Sequence, residues 1–239
     1  MLRALFVGID RHADDEIREL VGASRDATAL WALVSDTVGE LSATRLVNDA
    51  AGVDAVRAGL ATALADATPD DTVIVSFSAH GTRHHRLVCF DTDRSRLDET
   101  TIGLDELAEL FRVSRARAIL CIVDCCFSGA APGRVLDDSP VARDLGPGLE
   151  MLAGNGRVLL AACRPDELAY ESPTDRHGLL THALLRTFQE GDALTIDVTA
   201  AMASILVISL GNATRRTCSG PRRVAHDAGT ADGARPSVA

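Results

Sequence analysis

Two apolar segments of the chain are followed by residues that are capable of nucleophilic catalysis. The segment TVIVSFS at 72–78 is followed two residues later by His80. The segment AILCIV at 118–123 is followed by Asp-Cys-Cys, which includes Cys125 and Cys126. Cysteine attacks as the thiolate, and a neighbouring imidazole favours that form. If the two segments are neighbouring strands, their ends predict a His–Cys dyad.

The two adjacent cysteines compete for the role of nucleophile. Side chains alternate between the two faces of a strand, so only one of Cys125 and Cys126 can face His80. Gly81 leaves room for a substrate backbone beside His80, and backbone amides just beyond the strands can form an oxyanion hole. A thiol redox or metal-binding domain that uses both cysteines is the alternative that these residues leave open.

The segments that carry these residues belong to a regular alternation of strand-like and helix-like patterns. The strand candidates are 3–9, 43–47, 72–78, 86–90, 118–123 and 157–162. The helix candidates are 23–41, 52–65, 104–111, 178–189 and about 196–209. This alternation predicts an α/β fold whose mostly parallel sheet of about six strands has helices on both faces. The carboxyl ends of such strands meet at one edge, where the sites of α/β proteins form.

The His and Cys motifs resemble those of a known peptidase family. SAHG at 78–81 and DCCFSG at 124–129 are similar to the His-Gly and Asp-x-Cys-x-Ser-Gly motifs of metacaspases and related bacterial caspase-like peptidases. The resemblance implies a caspase-like fold and a cysteine endopeptidase. It assigns the nucleophile to the Cys two residues after the Asp, which is Cys126. The amides of Gly81 and Cys126 are then the expected oxyanion hole.

Further segments extend the resemblance over roughly residues 3–210. VGID at 7–10 is similar to the family's first strand, and ASRDA at 23–27 is similar to its segment with a specificity-pocket Asp. CRPDELAYES, which begins at Cys163, and the following HGLLTHALL resemble the small-subunit region. We expect the two histidines of HGLLTHALL to have structural rather than catalytic roles.

The resemblance also implies a substrate pocket. The family's pocket for a basic side chain uses two aspartates and a serine, which match Asp26, Asp124 and Ser78. Two carboxylates attract a guanidinium and repel an acidic side chain. The motif also differs from the QACRG of animal caspases, which cleave after Asp, so we expect cleavage after basic residues with Arg preferred. The alternatives are a solvated helix-start charge for Asp26, a helix cap for Asp124 and a locally bonded strand residue for Ser78.

The sequence departs from the family where many metacaspases bind calcium. The insertion after the His-bearing strand is reduced to 82–86, and the helix that carries Asp-Asp-Glu in the family begins Leu104-Asp105-Glu106 here. We therefore expect no metal and no other cofactor, and calcium dependence is disfavoured. The remaining acids of this region are expected to lie in a solvated loop; they are Asp91, Asp93, Asp98 and Glu99.

Composition restricts the partners and the compartment. The net charge is −10, and all 24 basic residues are Arg, which is typical of a GC-rich bacterial genome. An acidic chain without a basic segment argues against nucleic acid or an anionic membrane as partner. No apolar run reaches the ~20 residues that span a bilayer, and the first residues do not resemble a signal peptide. Several of the six cysteines fall in strand-like segments and no CxxC pair occurs, so we expect buried free thiols and a cytoplasmic protein.

The expected organisation is one peptidase domain over residues 1–226, followed by a disordered tail or linker at 227–239. The domain divides into a large-subunit-like part (1–130), a linker loop (129–150) and a small-subunit-like part (151–226). The loop contains Arg134 and Arg143, which are candidate processing sites. Expected partners are protein substrates and an upstream activator or an associated sensor. A catalytically silent caspase-like regulatory domain is the alternative function.

Overall fold

The computed structural model describes residues 1–82, 84–125, 156–162, 170–172 and 174–190, and of residues 189 and 190 it describes the backbone alone. Its strands are β1 (Leu2–Gly8), β2 (Leu41–Val47), β3 (Thr72–Ser78), β4 (Gly81–Thr82), β5 (Arg86–Val88), β6 (Thr101–Gly103), β7 (Ala118–Asp124) and β8 (Arg157–Ala161). Its helices are α1 (Ala23–Thr37), α2 (Val53–Leu60), α3 (Leu97–Thr100), α4 (Leu104–Val113) and α5 (Leu179–Glu190).

Five of these strands form the central sheet in the order β2-β1-β3-β7-β8, and every neighbouring pair is parallel. The predicted α/β class is therefore confirmed. The segment predicted as a strand at 86–90 belongs instead to a second, antiparallel sheet of order β4-β5-β6 and ends at Val88. The helix predicted at about 196–209 lies outside the described residues.

Apolar side chains cover both faces of the central sheet because successive residues of each strand point to opposite sides. In β1, Leu5 belongs to a core cluster that includes Leu60 and Phe111, from the side of α2 and α4. Its neighbour Phe6 belongs to a second cluster with Leu30 of α1 and others from α5. Burial of each such side chain contributes about 1.5–3 kcal/mol. Packing of the two clusters holds the strands in position, and this determines the position of the edge at which their carboxyl ends meet.

The pairing register brings three strand ends to the same level. Gly8 of β1 pairs with Ser78 of β3, and Ser78 pairs with Asp124 of β7. The amide of Ile9 also donates to the carbonyl of Ser78 at 2.9 Å. The residues that follow these three strands therefore start from one edge of the sheet, as the sequence predicts.

The cysteines of the described residues are buried thiols. Cys89, Cys121 and Cys125 are buried, and for Cys89 and Cys121 this confirms the prediction of buried thiols in strand-like segments. Burial raises the pKa of Cys89 and of Cys121 to about 12, so neither is a nucleophile at neutral pH. Within the described part of the chain, no helix has the length and apolar character needed to cross a bilayer.

Candidate active site

The edge of the sheet is built first by the contact between β1 and α1. A side chain at Gly8 would collide with the carbonyl of Ala23, so glycine allows the helix to begin directly against the strand. The helix is preceded by Gly22, which has no side chain to cap it. Asp10 supplies the cap from the end of β1 by accepting from the amides of Ala23 at 2.7 Å and Ser24 at 3.1 Å. This arrangement holds the first turn of α1, which carries Asp26.

His80 lies two residues beyond β3 with only 1% of its surface exposed. Its Nε2 atom lies 2.6 Å from the carbonyl oxygen of Arg18, in the loop between β1 and α1. A carbonyl only accepts hydrogen bonds, so Nε2 carries the proton and Nδ1 is the basic atom of the neutral ring. The His80 carbonyl also accepts from the amide of Val88 at 3.0 Å, which ties the backbone to β5.

Cys125 is buried in the apolar core. It is 1% exposed and belongs to the same apolar cluster as Phe77 and Ala79. Its Sγ atom donates to the carbonyl of Phe77 at 3.7 Å. Asp124, the preceding residue, is bonded on the other face of the sheet, to a residue of α5. The alternation expected for the two cysteines thus gives the core face to Cys125, and Cys126 lies outside the described residues.

Asp26 is fully buried at the start of α1 and accepts hydrogen bonds from three residues. The Ser78 hydroxyl donates to it at 3.0 Å, and His177 Nδ1 lies 2.7 Å from its other oxygen. The amide of Gly178 lies 3.1–3.2 Å from both oxygens. Because Asp26 bridges β3 and the residues before α5, it is not the solvated helix-start charge that was its alternative role.

Asp124 is fully buried at the end of β7 and binds the first turn of α5. One carboxylate oxygen accepts from the amide of Thr181 at 3.1 Å and from the Thr181 hydroxyl at 2.9 Å. Unpaired amides at a helix start favour a nearby anion, so this contact is a helix cap supplied from another element. Asp124 therefore has the capping role that was its alternative, although the helix it caps is α5 and not the segment directly after it.

The structure brings together the three residues predicted to line a substrate pocket. Asp26 contacts Ser78 directly, and Ser78 pairs with Asp124 across neighbouring strands. Gly81, predicted for the oxyanion hole, is the first residue of β4 and directly follows His80. The remaining predicted site residues lie outside the described residues; they are Cys126, Arg134 and Arg143.

Two residues of the small-subunit-like part, Glu171 and His177, support this edge. Glu171 accepts from the amides of Val21 at 3.2 Å and Gly22 at 2.8 Å, so it joins the small-subunit-like part to the start of α1. His177 has the structural contact with Asp26 that was expected of it in general terms. A signal for such capping was available in the sequence, because glycine precedes α1, α2, α4 and α5 and cannot cap a helix with a side chain.

The loop acids considered for calcium are bonded within the protein. Asp91 accepts from the amide of Val53 at 2.8 Å and so caps α2. Asp93 accepts from Ser95 and Arg96, which lower its pKa to about 2. Asp98 pairs with Arg86 at 3.4 Å and Glu99 with Arg96 at 3.5 Å. Across the described ranges, no three His, Cys, Asp or Glu side chains are grouped so as to hold a metal ion.

Comparison with known proteins identifies the architecture. The sequence model of the family Peptidase C14, caspase domain, matches residues 1–207. The crystal structure of protein GSU0716 from Geobacter sulfurreducens is similar to this chain, with a TM-score of 0.65 and 18% sequence identity. That match covers 85% of this chain and 87% of the other. No curated protein matches the sequence. At this identity the structural match supports the fold alone, and it agrees with the caspase-like fold expected from the motifs.

Proposed function

The chain belongs to the caspase domain family Peptidase C14, and from this premise we propose that it is a metacaspase-type cysteine endopeptidase that cleaves after basic residues, Arg preferred. A cysteine-type peptidase with protein substrates is what membership of the family itself supports. The finer proposal assigns catalysis to His80 and Cys126. The observation that carries it is the pairing of Ser78 with Asp124, because His80 and Cys126 each follow one of these two residues by two positions.

The hydrogen bond of His80 supports its role as base. With Nε2–H donated to the carbonyl of Arg18, the imidazole presents Nδ1 to accept the thiol proton of Cys126. The same carbonyl favours the imidazolium that results, because it accepts from a donor that has become positively charged. The burial of Cys125 in the apolar core leaves Cys126 as the cysteine of the motif that is suited to react.

The proposed reaction follows from these positions. The Cys126 thiolate attacks the carbonyl carbon of the scissile bond, and the amides of Gly81 and Cys126 stabilise the resulting oxyanion. The C–N bond then breaks while His80 returns its proton to the leaving amine. Water, deprotonated by His80, attacks the acyl-enzyme and restores the thiol.

The preference for Arg rests on the two buried carboxylates and the serine between them. Asp26 and Asp124 are both fully buried at the edge of the sheet. Their hydrogen-bond partners include backbone amides, hydroxyls and the imidazole of His177. Two carboxylates attract the guanidinium of a substrate Arg, whereas an acidic side chain would be repelled.

We further propose that the enzyme has no strict calcium requirement. Three of the acids considered for calcium pair with Arg side chains of the protein, which already supply positive charge. The broader role that we propose is regulated proteolysis in stress, defence or cell-death signalling of a bacterium, in the cytoplasm. This last part rests on composition and on the family resemblance.

A peptide panel varied at the residue before the scissile bond tests the proposal, with and without a calcium chelator. We expect kcat/KM to be highest for Arg, lower for Lys and negligible for Asp, and we expect chelation to leave the Arg rate within about twofold. Asp124→Asn provides the matched variant, and loss of one carboxylate should cost about 2–5 kcal/mol of transition-state binding. Cleavage after Asp, or loss of activity with the chelator, would contradict the specificity. Absence of cleavage and of reaction with any electrophilic peptide would identify a silent domain.

A further inference from the structure

A second histidine, which neither the motifs nor the family comparison assigns, lies beside His80. His12 is in the loop between β1 and α1, and its ring centroid lies 5.5 Å from that of His80, with the ring planes tilted by 38°. Only 9% of His12 is exposed, and neither of its ring nitrogens has a hydrogen-bond partner among the described residues. Burial of polar atoms without hydrogen-bond partners is unfavourable, so an apolar side chain would stabilise the fold more than this imidazole if the position served packing alone.

The charge state of His12 follows from its surroundings. Burial, together with the neighbouring His80, lowers its pKa to about 4, although Asp10 and Asp14 act in the opposite direction. The ring is therefore neutral over the pH range in which most cysteine peptidases would be assayed. Since neither ring nitrogen has a partner within the described ranges, the contact that His12 makes with His80 is one of a neutral aromatic ring and not of a charged group.

We propose that His12 is a positioning residue that acts through His80: its neutral ring keeps the His80 imidazole in the working orientation and stabilises the imidazolium formed there. The inference rests on the proposed role of His80 as base. The bond to the Arg18 carbonyl holds one atom of the His80 ring. Contact with the His12 ring restricts the orientation of the imidazole plane, since aromatic pairs favour centroid separations of 4.5–7 Å. A cation within about 6 Å of a ring centroid is also attracted to the ring.

One loop carries both Arg18 and His12. Arg18 and His12 both lie between β1 and α1, and the amide of Ala13 donates to the carbonyl of Phe90 at 2.9 Å, which ties the loop to the segment after β5. The amide of Leu20 donates to the carbonyl of Asp10, also at 2.9 Å, and closes the loop on itself. These two hydrogen bonds hold the loop in the position in which His12 contacts His80.

Three substitutions of His12 separate the roles of its ring and of its polar atoms. His12→Ala removes the ring, His12→Gln keeps a polar group without a ring, and His12→Phe keeps a ring without nitrogens. We expect kcat to fall about tenfold in His12→Ala and in His12→Gln with KM within about twofold of the native value. We expect His12→Phe to recover most of the loss. Rates are taken per active site, titrated with an irreversible inhibitor, so that misfolded protein does not contribute.

A His80→Ala background distinguishes this inference from the proposed function on which it rests. If His12 acts through His80, adding His12→Ala to His80→Ala causes no further loss of the residual rate. Native kcat in His12→Ala, or recovery by His12→Gln but not by His12→Phe, would overturn the role of His12 and leave the dyad intact. Native kcat in His80→Ala alone would overturn the dyad itself. Should His12→Ala not fold, the comparison of His12→Gln with His12→Phe decides the matter.

Discussion

The Nε2 atom of His80 lies 2.6 Å from the carbonyl oxygen of Arg18, 62 positions away in the sequence. This one contact determines the tautomer of the ring, because a carbonyl oxygen can only accept a hydrogen bond and Nε2 must therefore carry the proton. It also connects the catalytic proposal with the loop between β1 and α1, which no motif would have assigned to the site.

The first prediction is that neutral His80 carries its proton on Nε2. In ¹⁵N NMR spectra of the labelled protein above pH 8, we expect the Nε2 resonance of His80 to have the shift of a protonated nitrogen and Nδ1 that of an unprotonated one. His80→Ala assigns the signals by their disappearance. A proton on Nδ1 would contradict the proposed direction of proton transfer.

The second prediction separates the two roles of Asp124. Because this carboxylate caps α5, Asp124→Asn should lower the free energy of unfolding by about 0.5–2 kcal/mol and also weaken the preference for Arg over other residues. Thr181→Val removes the hydroxyl that donates to Asp124 but keeps the carboxylate. It should cost about 1 kcal/mol of stability while the preference for Arg remains. Urea denaturation and the peptide panel measure the two effects. Equal loss of specificity in both variants would mean that Asp124 acts only through α5.

The third prediction concerns stability below neutral pH. The pKa of His12 falls from an ordinary 6.5 to about 4 in the folded protein, so between these values the unfolded chain binds a proton that the folded one does not. The free energy of unfolding therefore falls as the pH is lowered through this window, by up to about 3 kcal/mol for this residue. His12→Phe removes that contribution. In urea denaturation, we expect the free energy of unfolding of His12→Phe, relative to that of the native protein, to increase as the pH is lowered from 7.5 to 4.5. A difference that is independent of pH would show that His12 is not neutral and buried in solution.

The fourth prediction concerns processing in the predicted loop 129–150. This segment is rich in Gly, Pro and Asp, and Arg134 and Arg143 suit the proposed specificity. We expect mass spectrometry of the active enzyme to find cleavage after one or both of these residues. We expect the Arg134→Ala/Arg143→Ala variant to remain intact in this segment and to have lower activity. Full activity in this uncut variant would show that processing here does not control the enzyme.

The sheet could be predicted from the sequence because its signals are local. The predicted strand 72–78 has the observed bounds of β3, and 118–123 differs from β7 by one residue. Buried parallel strands are short, continuous apolar segments, and these were present. The segment 86–90 also has an apolar pattern, but such a pattern does not determine which strands a segment pairs with. In the structure this segment forms β5 of the smaller sheet.

The supporting contacts of the site could not be predicted because they join residues far apart in the chain. Asp26 and Gly178 are separated by 152 positions, and Glu171 and Gly22 by 149. The sequence shows that Asp26 is an acid and Gly178 a glycine. Only the packing of α1 and α5 on the sheet brings the carboxylate of Asp26 to the amide of Gly178, directly before α5. No sequence motif can identify the backbone carbonyl of Arg18 as the partner of His80, since every residue has a backbone carbonyl.

The proposed dyad of His80 and Cys126 is tested most directly by covalent labelling of the native protein with a peptide electrophile that has Arg before its reactive group. After digestion, tandem mass spectrometry locates the adduct. We expect a single adduct on Cys126, lost in Cys126→Ala and in His80→Ala, retained in Cys125→Ala, and not formed by the matched electrophile with Asp. An adduct on Cys125, or labelling that is equally fast in His80→Ala, would contradict the assignment of the dyad.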